Sequence, residues 1–263
     1  MREYLDTAVS AAKAAGEMQR ERLWLEHDIA FKGECDLVTE VDRGCEELIV
    51  AAIQVRYPDH DILAEENVYT PRNSSHRWVI DPLDGTTNYA HGFPWFAVSI
   101  ALEIDGLVQV GVVFHTMMNE LFTAIRGAGA FLNGEPIHVS SRAPLKSTLL
   151  ATGFPYDKSS DNENNFVNFE KFQMEARAVR RAGSAALDLA YVAAGRFDGF
   201  WECKLKPWDV AAGTLLVEEA GGRVTDHSGG PYSIQHHRIL ASNGLIHEEM
   251  TAMLREEGNR YLP

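Results

Sequence analysis

Five carboxylates stand where apolar stretches of this chain begin or end: Glu65 and Glu66 in "LAEEN", Asp81 and Asp84 in "WVIDPLDGTTNYAH", and Asp209 in "KPWDVAAG". A carboxylate at the end of a covered strand must be given a partner or remain costly. Singly, each has an ordinary reading. Asp209 sits where a helix N-cap belongs, Glu66 reads as solvated, and two acids on a loop usually make a turn. The middle segment sets this group apart. Pro82 fixes its own φ and lacks an N–H, which stiffens the chain between Asp81 and Asp84 and leaves the Leu83 carbonyl available as an oxygen donor. Gly85 removes a side chain where backbone must pass close to a ligand, and Gly-Thr-Thr-Asn can open a helix whose unpaired N–H groups face outward. Hard divalent cations take carboxylate and carbonyl oxygens, whereas a phosphate takes a helix N-terminus. The partner expected for Asp81 is therefore Mg²⁺, as more than one ion, with a phosphate reaching the Gly85 and Thr86 amides.

Rival chemistries fit less well. An EF-hand alternates oxygen ligands along its loop and ends on a distal glutamate, an order that "DPLDGTTNYAHG" lacks. A glycosidase uses two carboxylates but has no need of Gly-Thr-Thr. Covalent aspartyl-phosphate enzymes space their aspartates two apart, whereas Asp81 and Asp84 are three apart across a proline. The spacing favours attack by water activated at a metal. Gly127 and Gly129 lack the third glycine and following helix of a dinucleotide fingerprint.

The elements that must position these acids can be read from periodicity. Leu5, Ala8, Ala12 and Ala15 recur at threes and fours, which predicts an amphipathic first helix. Thr39 followed three residues later by Asp42 predicts a capping box and a helix through Ile49 and Ile53 that Pro58 closes. "DILA" and "RWVID" read as strands that deliver Glu65 and Asp81. Residues 95–140 are β-branched and aromatic, broken by Asp105-Gly106, Met118-Asn119 and Asn133-Gly134, the marks of hairpins in an antiparallel sheet. Beyond them come a strand at "STLLAT", a helix through Phe166, Phe169 and Phe172, a strand before Gly183-Ser184, a small-residue helix to Gly195, a strand ending at Glu202, and a helix from Asp209 stopped by Gly221-Gly222. Strands and helices in mixed order over one core predict a layered α/β architecture. The chain reads as one domain over 1–263, with an N-terminal half of about 1–145 holding metal and phosphate and a C-terminal half of about 146–263 holding the substrate.

Composition narrows the function classes. Among 263 residues, 24 Lys and Arg face 38 Asp and Glu, a formal charge of -14. That excess disfavours direct nucleic-acid binding and repels small anions, so a phosphorylated ligand requires bound cations or a local basic patch. Cys35, Cys45 and Cys203 have neither disulfide-framework nor zinc-knuckle spacing and read as free thiols of a reducing cytosol. No apolar run approaches the roughly 18 residues of a membrane span, and the charged N-terminus does not read as a signal peptide. The expectation is a cytoplasmic protein with no membrane partner.

Three segments, "LAEEN", "WVIDPLDGTTNYAHGFPWFAVSIAL" and "WDVAAGTLLVEEAGG", resemble in order and spacing the signatures of the inositol monophosphatase family, and "RRAGSAALDLAYVAAGRFDGFWE" followed by "LKPWD" resembles its bacterial branch. The resemblance implies an αβαβα sandwich of the inositol monophosphatase/fructose bisphosphatase type and a Mg²⁺-dependent, lithium-sensitive phosphomonoesterase, usually a homodimer, with two or three ions per site. It implies that Glu65, Asp81, the Leu83 carbonyl and Asp84 hold one metal and that Asp81, Asp84 and Asp209 serve a second. Glu65 and Thr86 would lie near the attacking water, with Asp42 paired to Thr86; Gly85 and Thr86 would hold the phosphate. Gly183, Ser184, Ala185, Glu202 and Asp209 match positions that contact the inositol ring, and Arg180 matches a substrate-side arginine. Inositol monophosphate is the leading substrate, while the same family includes enzymes acting on fructose bisphosphate, histidinol phosphate and nucleotide phosphates. Some bacterial members join transcription antitermination complexes. Two departures stand out: Ser184 replaces a threonine of animal members, and Lys204 and Lys206 form a basic segment that could favour a second anionic group, although lysines are mostly solvated.

Overall fold

The computed structural model describes residues 1–25, 29–31 and 37–255. Helix α1 (Arg2–Arg22) buries Leu5, Ala8, Ala12 and Ala15 on one face, the stripe that the periodicity predicts. A short antiparallel pair, β1 (Ile29–Phe31) and β2 (Leu37–Thr39), leads into α2 (Glu40–Arg56). Thr39 caps that helix: its Oγ1 accepts from the Val41 N–H at 3.2 Å, while Asp42 accepts from the Thr39 N–H at 2.9 Å. The capping box read from the sequence is present, and it fixes where Asp42 points.

Strands β3 (Asp61–Ala64) and β4 (His76–Asp84), the five-residue α3 (Thr86–Ala90), and the meander β5 (Ala97–Ile104), β6 (Leu107–His115), β7 (Glu120–Ile125), β8 (Ala130–Leu132) and β9 (Glu135–Ile137) follow. They form a seven-stranded sheet in sequence order, with β3 parallel to β4 and every later pair antiparallel. Asp105-Gly106 and Asn133-Gly134 turn two of the hairpins with positive φ at both residues, as type I′ turns require. Strand β4 continues to Asp84, past the Asp81 end that the sequence suggests. Asp81 pairs with Ser99 and Asp84 with Ala97, so three steps on β4 oppose two on β5. This bulge accommodates Pro82, which has no N–H to give the ladder.

The second sheet comprises β10 (Leu149–Thr152), β11 (Ala178–Arg180), β12 (Gly199–Cys203), β13 (Arg223–Thr225) and β14 (Arg238–Ser242), ordered β11-β10-β12-β14-β13. Between its strands run α4 (Phe166–Glu175), α5 (Ala185–Ala193) and α6 (Pro207–Glu219), and α7 (His247–Arg255) follows β14. Helices α1 and α2 cover one face of the large sheet; α5 and α6 lie between the sheets; α4 and α7 pack against the second. The architecture is a mixed α/β sandwich with the αβαβα layering.

Its middle layer explains why α6 is apolar on all sides, burying Val210, Ala211, Ala212, Leu215, Leu216 and Val217. Close approach is made by two glycines. A Cβ on Gly111 of β6 would lie 2.9 Å from the Ala212 carbonyl oxygen, and one on Gly213 would lie 2.6 Å from the Leu189 Cβ of α5. A helix with Asp209 in its first turn is thus clamped between sheet and neighbouring helix. Cys45 and Cys203 are free and buried; Cys35 lies outside the described residues. Among the described residues no helix is long and apolar enough to cross a membrane.

Candidate active site

A cavity of about 400 Å³ opens between the ends of the two sheets, and Glu65, Asp81, Asp84 and Asp209 all line it, together with Leu83, Gly85, Thr86, Gly183, Ser184, Ala185 and Glu202. Each acid reaches it by a different device. Glu65 follows β3 on a turn organised by Glu46 of α2, whose carboxylate accepts from the Glu66 N–H at 2.8 Å, the Asn67 N–H at 3.0 Å and the Tyr69 hydroxyl at 3.0 Å. Asp81 Oδ1 accepts from the Leu83 N–H at 2.9 Å. From α1, buried Gln19 donates to the Pro82 carbonyl at 2.8 Å, and its own amide oxygen accepts from Thr116 Oγ1 at 2.6 Å. The proline bulge is therefore held from behind.

Asp84 Oδ2 accepts from Ser184 Oγ and the Ala186 N–H, both at 2.7 Å, at the start of α5. Asp209 lies three residues into its helix, not at the N-cap: α6 begins at Pro207, and Asp209 Oδ2 accepts from the Lys206 N–H at 2.6 Å. Pro207 at the first helical position displaces the boundary upstream, because its missing N–H would be unpaired there anyway. Burial pushes the carboxyls of Asp81 and Asp209 well above the usual range, and the neighbouring acids push them further. Asp84 rises to about 6 through burial, against the hydrogen bonds from α5. Among the described residues, no three His, Cys, Asp or Glu side chains are already closed around a metal-sized point. The four acids share a cavity wall: Asp81, Asp84 and Asp209 each have an oxygen held by a protein donor, and Glu65 stands beside a turn held by Glu46.

Asp42 is completely buried and engages both oxygens: Oδ2 with Thr39, Oδ1 with the Thr86 hydroxyl at 2.8 Å. The Leu83 carbonyl lies 3.1 Å from the same hydroxyl. Gly85 precedes α3 with φ 102°, and a Cβ there would meet the Trp95 carbonyl at 3.0 Å and the Gly183 carbonyl at 3.3 Å. The close backbone approach expected of Gly85 is to these carbonyls. Asn88 Nδ2 donates to the carbonyls of Trp95 (2.7 Å) and Ala182 (2.9 Å), binding α3 to the segment that carries Gly183 and Ser184. With five residues, α3 has little dipole to offer an anion.

The organic side of the cavity departs from the sequence reading. Arg180 is exposed on β11 and bonds the Val179 carbonyl, whereas Arg181 lines the cavity. Lys204 spends its ammonium on Asp157 at 2.7 Å and Asp161 at 2.9 Å, so it ties down the 157–161 loop instead of standing ready for a second anion. Burial pushes the Glu202 carboxyl up to about 8, with Arg181 opposing. A Cβ on Gly153 would overlap that carboxylate, which makes glycine the residue that leaves Glu202 room.

Gln19, Glu46, Arg181 and Asp188 were not marked by sequence reasoning. Asp188 did carry a signal: it is a lone charge in the otherwise apolar run "SAALDLAYVAA", where a buried acid is expensive without a role.

Two sheets with helices between them, and strand-end acids around one cavity, define a protein of the phosphatase-fold class. Within that class the chain belongs to the inositol monophosphatase family, whose sequence profile, "Inositol monophosphatase family", matches residues 1–259. It is 47% identical over 251 residues to Nus factor SuhB of Pseudomonas aeruginosa, covering 92% of each chain. It is 45% identical over 262 residues to an inositol monophosphatase of Mesembryanthemum crystallinum, covering 97% of this chain and 96% of the relative. The solved structure of inositol monophosphatase from Anabaena (Nostoc) sp. PCC 7120 superposes with a TM-score of 0.89 at 44% identity, covering 97% of this chain and 96% of that one.

Proposed function

We propose that this protein is a Mg²⁺-dependent phosphomonoesterase that hydrolyses inositol monophosphate to inositol and phosphate. The observation that carries the reading is that Glu65, Asp81 with Asp84, and Asp209, from three separate segments, line one cavity with Glu202. An all-oxygen donor set suits a hard ion, not zinc, which favours His and Cys. Glu65, Asp81, the Leu83 carbonyl and Asp84 would hold one ion, and Asp81, Asp84 and Asp209 a second, with two or three ions per site. When bound, these ions neutralise phosphoryl oxygens and lower the pKa of water. They also reverse the repulsion that a chain of charge -14 imposes on an anion.

The protein's own groups do the positioning. Asp42 takes the Thr86 hydroxyl proton in a hydrogen bond, which leaves Thr86 Oγ1 lone pairs to orient a water; Glu65 accepts that water's proton. The Gly85 and Thr86 amides hold the phosphate, while Gly183, Ser184, Ala185, Glu202 and Asp209 face the organic group, with Arg181 beside them on the cavity wall. The protein works as a lithium-sensitive cytoplasmic homodimer. Phosphate release from inositol, sugar and nucleotide monoesters, with and without Mg²⁺, tests the reading. Turnover fastest on inositol monophosphate and abolished by chelation is expected; absence of turnover on every ester would overturn it.

A second reading is favoured by the name of the P. aeruginosa relative, a Nus factor: a docking role in a transcription complex beside catalysis. Retention of transcription proteins by the immobilised protein, undiminished in a catalytically dead variant, supports it. Retention of none rejects it.

A further inference from the structure

We infer that Asp188 is a specificity residue whose carboxyl, beside Glu202, recognises hydroxyl groups on the organic part of the substrate and selects phosphate esters of polyols. The inference rests on the phosphatase reading and extends it to the class of ester preferred.

Asp188 projects from α5, is 1% exposed, and yet lines the cavity. Its Oδ1 is buried without a hydrogen-bond partner among the described residues. A carboxyl oxygen removed from water with no donor costs free energy, and nothing in an otherwise apolar helix requires an acid at this position. A ligand that fills the cavity with donors removes the cost.

The surroundings define which donors fit. Glu202 and Asp84 bear on Asp188 with like charge and Arg181 with opposite charge. The ammonium of Lys204 is occupied by Asp157 and Asp161. A second anionic group on the ligand would meet two acids here, and a purely apolar group would leave both carboxyls unpaired. Neutral hydroxyls satisfy them in either protonation state, since a hydroxyl donates to a carboxylate and accepts from a protonated carboxyl. The lack of a side chain on Gly153 leaves room for the Glu202 carboxyl, and the two carboxyls reach the cavity from separate elements, α5 and β12.

The test compares wild type, Asp188→Ala and Asp188→Asn on inositol 1-phosphate and on phenyl phosphate, which has no hydroxyl, with thermal melts to verify folding. A site built to bond substrate hydroxyls discriminates strongly against ligands lacking them, so the ratio of kcat/KM for the two esters is expected to fall by about tenfold or more in Asp188→Ala. Asp188→Asn, which keeps one acceptor, is expected to recover part of it. An unchanged ratio, through equal loss on both esters or none, overturns the inference. A wild type that turns over neither ester defeats the inositol monophosphatase reading instead, and ligand-observed NMR with unphosphorylated myo-inositol then decides. Saturable binding weakened in Asp188→Ala supports the assignment, whereas wild-type binding that is absent or equal to the variant's rejects it.

Discussion

Thr86 Oγ1 and Asp42 Oδ1, forty-four residues apart in the chain, are joined by a 2.8 Å hydrogen bond at the edge of the cavity. Asp42 also closes the capping box of α2 through Thr39. One carboxylate therefore ties the start of a long helix to the start of α3, and the orientation of the Thr86 hydroxyl depends on it. Thr86→Val keeps the shape of the side chain and deletes the hydroxyl. Loss of about 10²-fold or more in kcat is expected if Thr86 orients the attacking water, with Thr86→Ser retaining most activity. Stability should fall by about 1–3 kcal/mol, because Asp42 stays buried with one donor fewer. Steady-state kinetics and denaturant melts read both, and a Thr86→Val enzyme with wild-type kcat would remove Thr86 from the proposed machinery.

Glu202 supplies a pH prediction. Its carboxyl is raised from 4.5 to about 8 by burial. Between those values the folded protein keeps a proton that the unfolded chain has released. The contribution of Glu202 to stability is thus fully present below about 4.5 and is lost as pH rises through about 8. The slope for one such group is up to about 1.4 kcal/mol per pH unit. Melts in chelator from pH 5 to 8.5 should show stability declining with pH, and Glu202→Gln should flatten that decline. Parallel wild-type and Glu202→Gln curves would show that Glu202 ionises normally.

What the sequence disclosed, and what it withheld, follows from the range of the interactions. Local signals were legible: the Thr39/Asp42 capping box, the glycine-bearing hairpin turns and the burial stripe of α1 depend on residues a few positions apart. The gathering of Glu65, Asp81, Asp84 and Asp209 on one wall was anticipated from strand ends and from the family resemblance. Roles set by distant partners were not legible. Gln19 looks like one more polar residue of an amphipathic helix until the Pro82 carbonyl, sixty-three residues on, is found against it. Arg180 and Arg181 are adjacent, and only the path of the chain after β11 decides which lines the cavity. Asp209 reads as an N-cap unless Pro207 is recognised as already helical.

The close contact of α6 with β6 gives a prediction for the frame of the site. Alanine at Gly111 would put its Cβ 2.9 Å from the Ala212 carbonyl oxygen and 3.1 Å from the Ala212 Cα, both backbone atoms that cannot rotate away. Overpacking of this kind costs about 1–3 kcal/mol. Relief by an outward shift of α6 would carry Asp209 with it, so Gly111→Ala should lower both the melting temperature and the apparent affinity for Mg²⁺. A variant as stable as wild type with unchanged Mg²⁺ response would mean that the helix position is not set by this contact.

Asp84→Asn separates folding from metal dependence. The carboxamide oxygen can still accept from Ser184 Oγ and the Ala186 N–H, so the tie to α5 survives the exchange. One negative charge leaves a wall that also carries Glu65, Asp81 and Asp209, whose mutual repulsion contributes to the raised pKa of Asp81. The variant should therefore fold and, in chelator near pH 8, melt at or above the wild-type temperature. Mg²⁺ should raise its melting temperature less than it raises that of wild type. Activity should fall by about a thousandfold, matching the several kcal/mol of charge stabilisation that a bound ion supplies. An Asp84→Asn protein that remains active and responsive to Mg²⁺ would defeat the assignment of Asp84 as a metal ligand, while one that fails to fold would show that the bonds to α5 require the carboxylate itself.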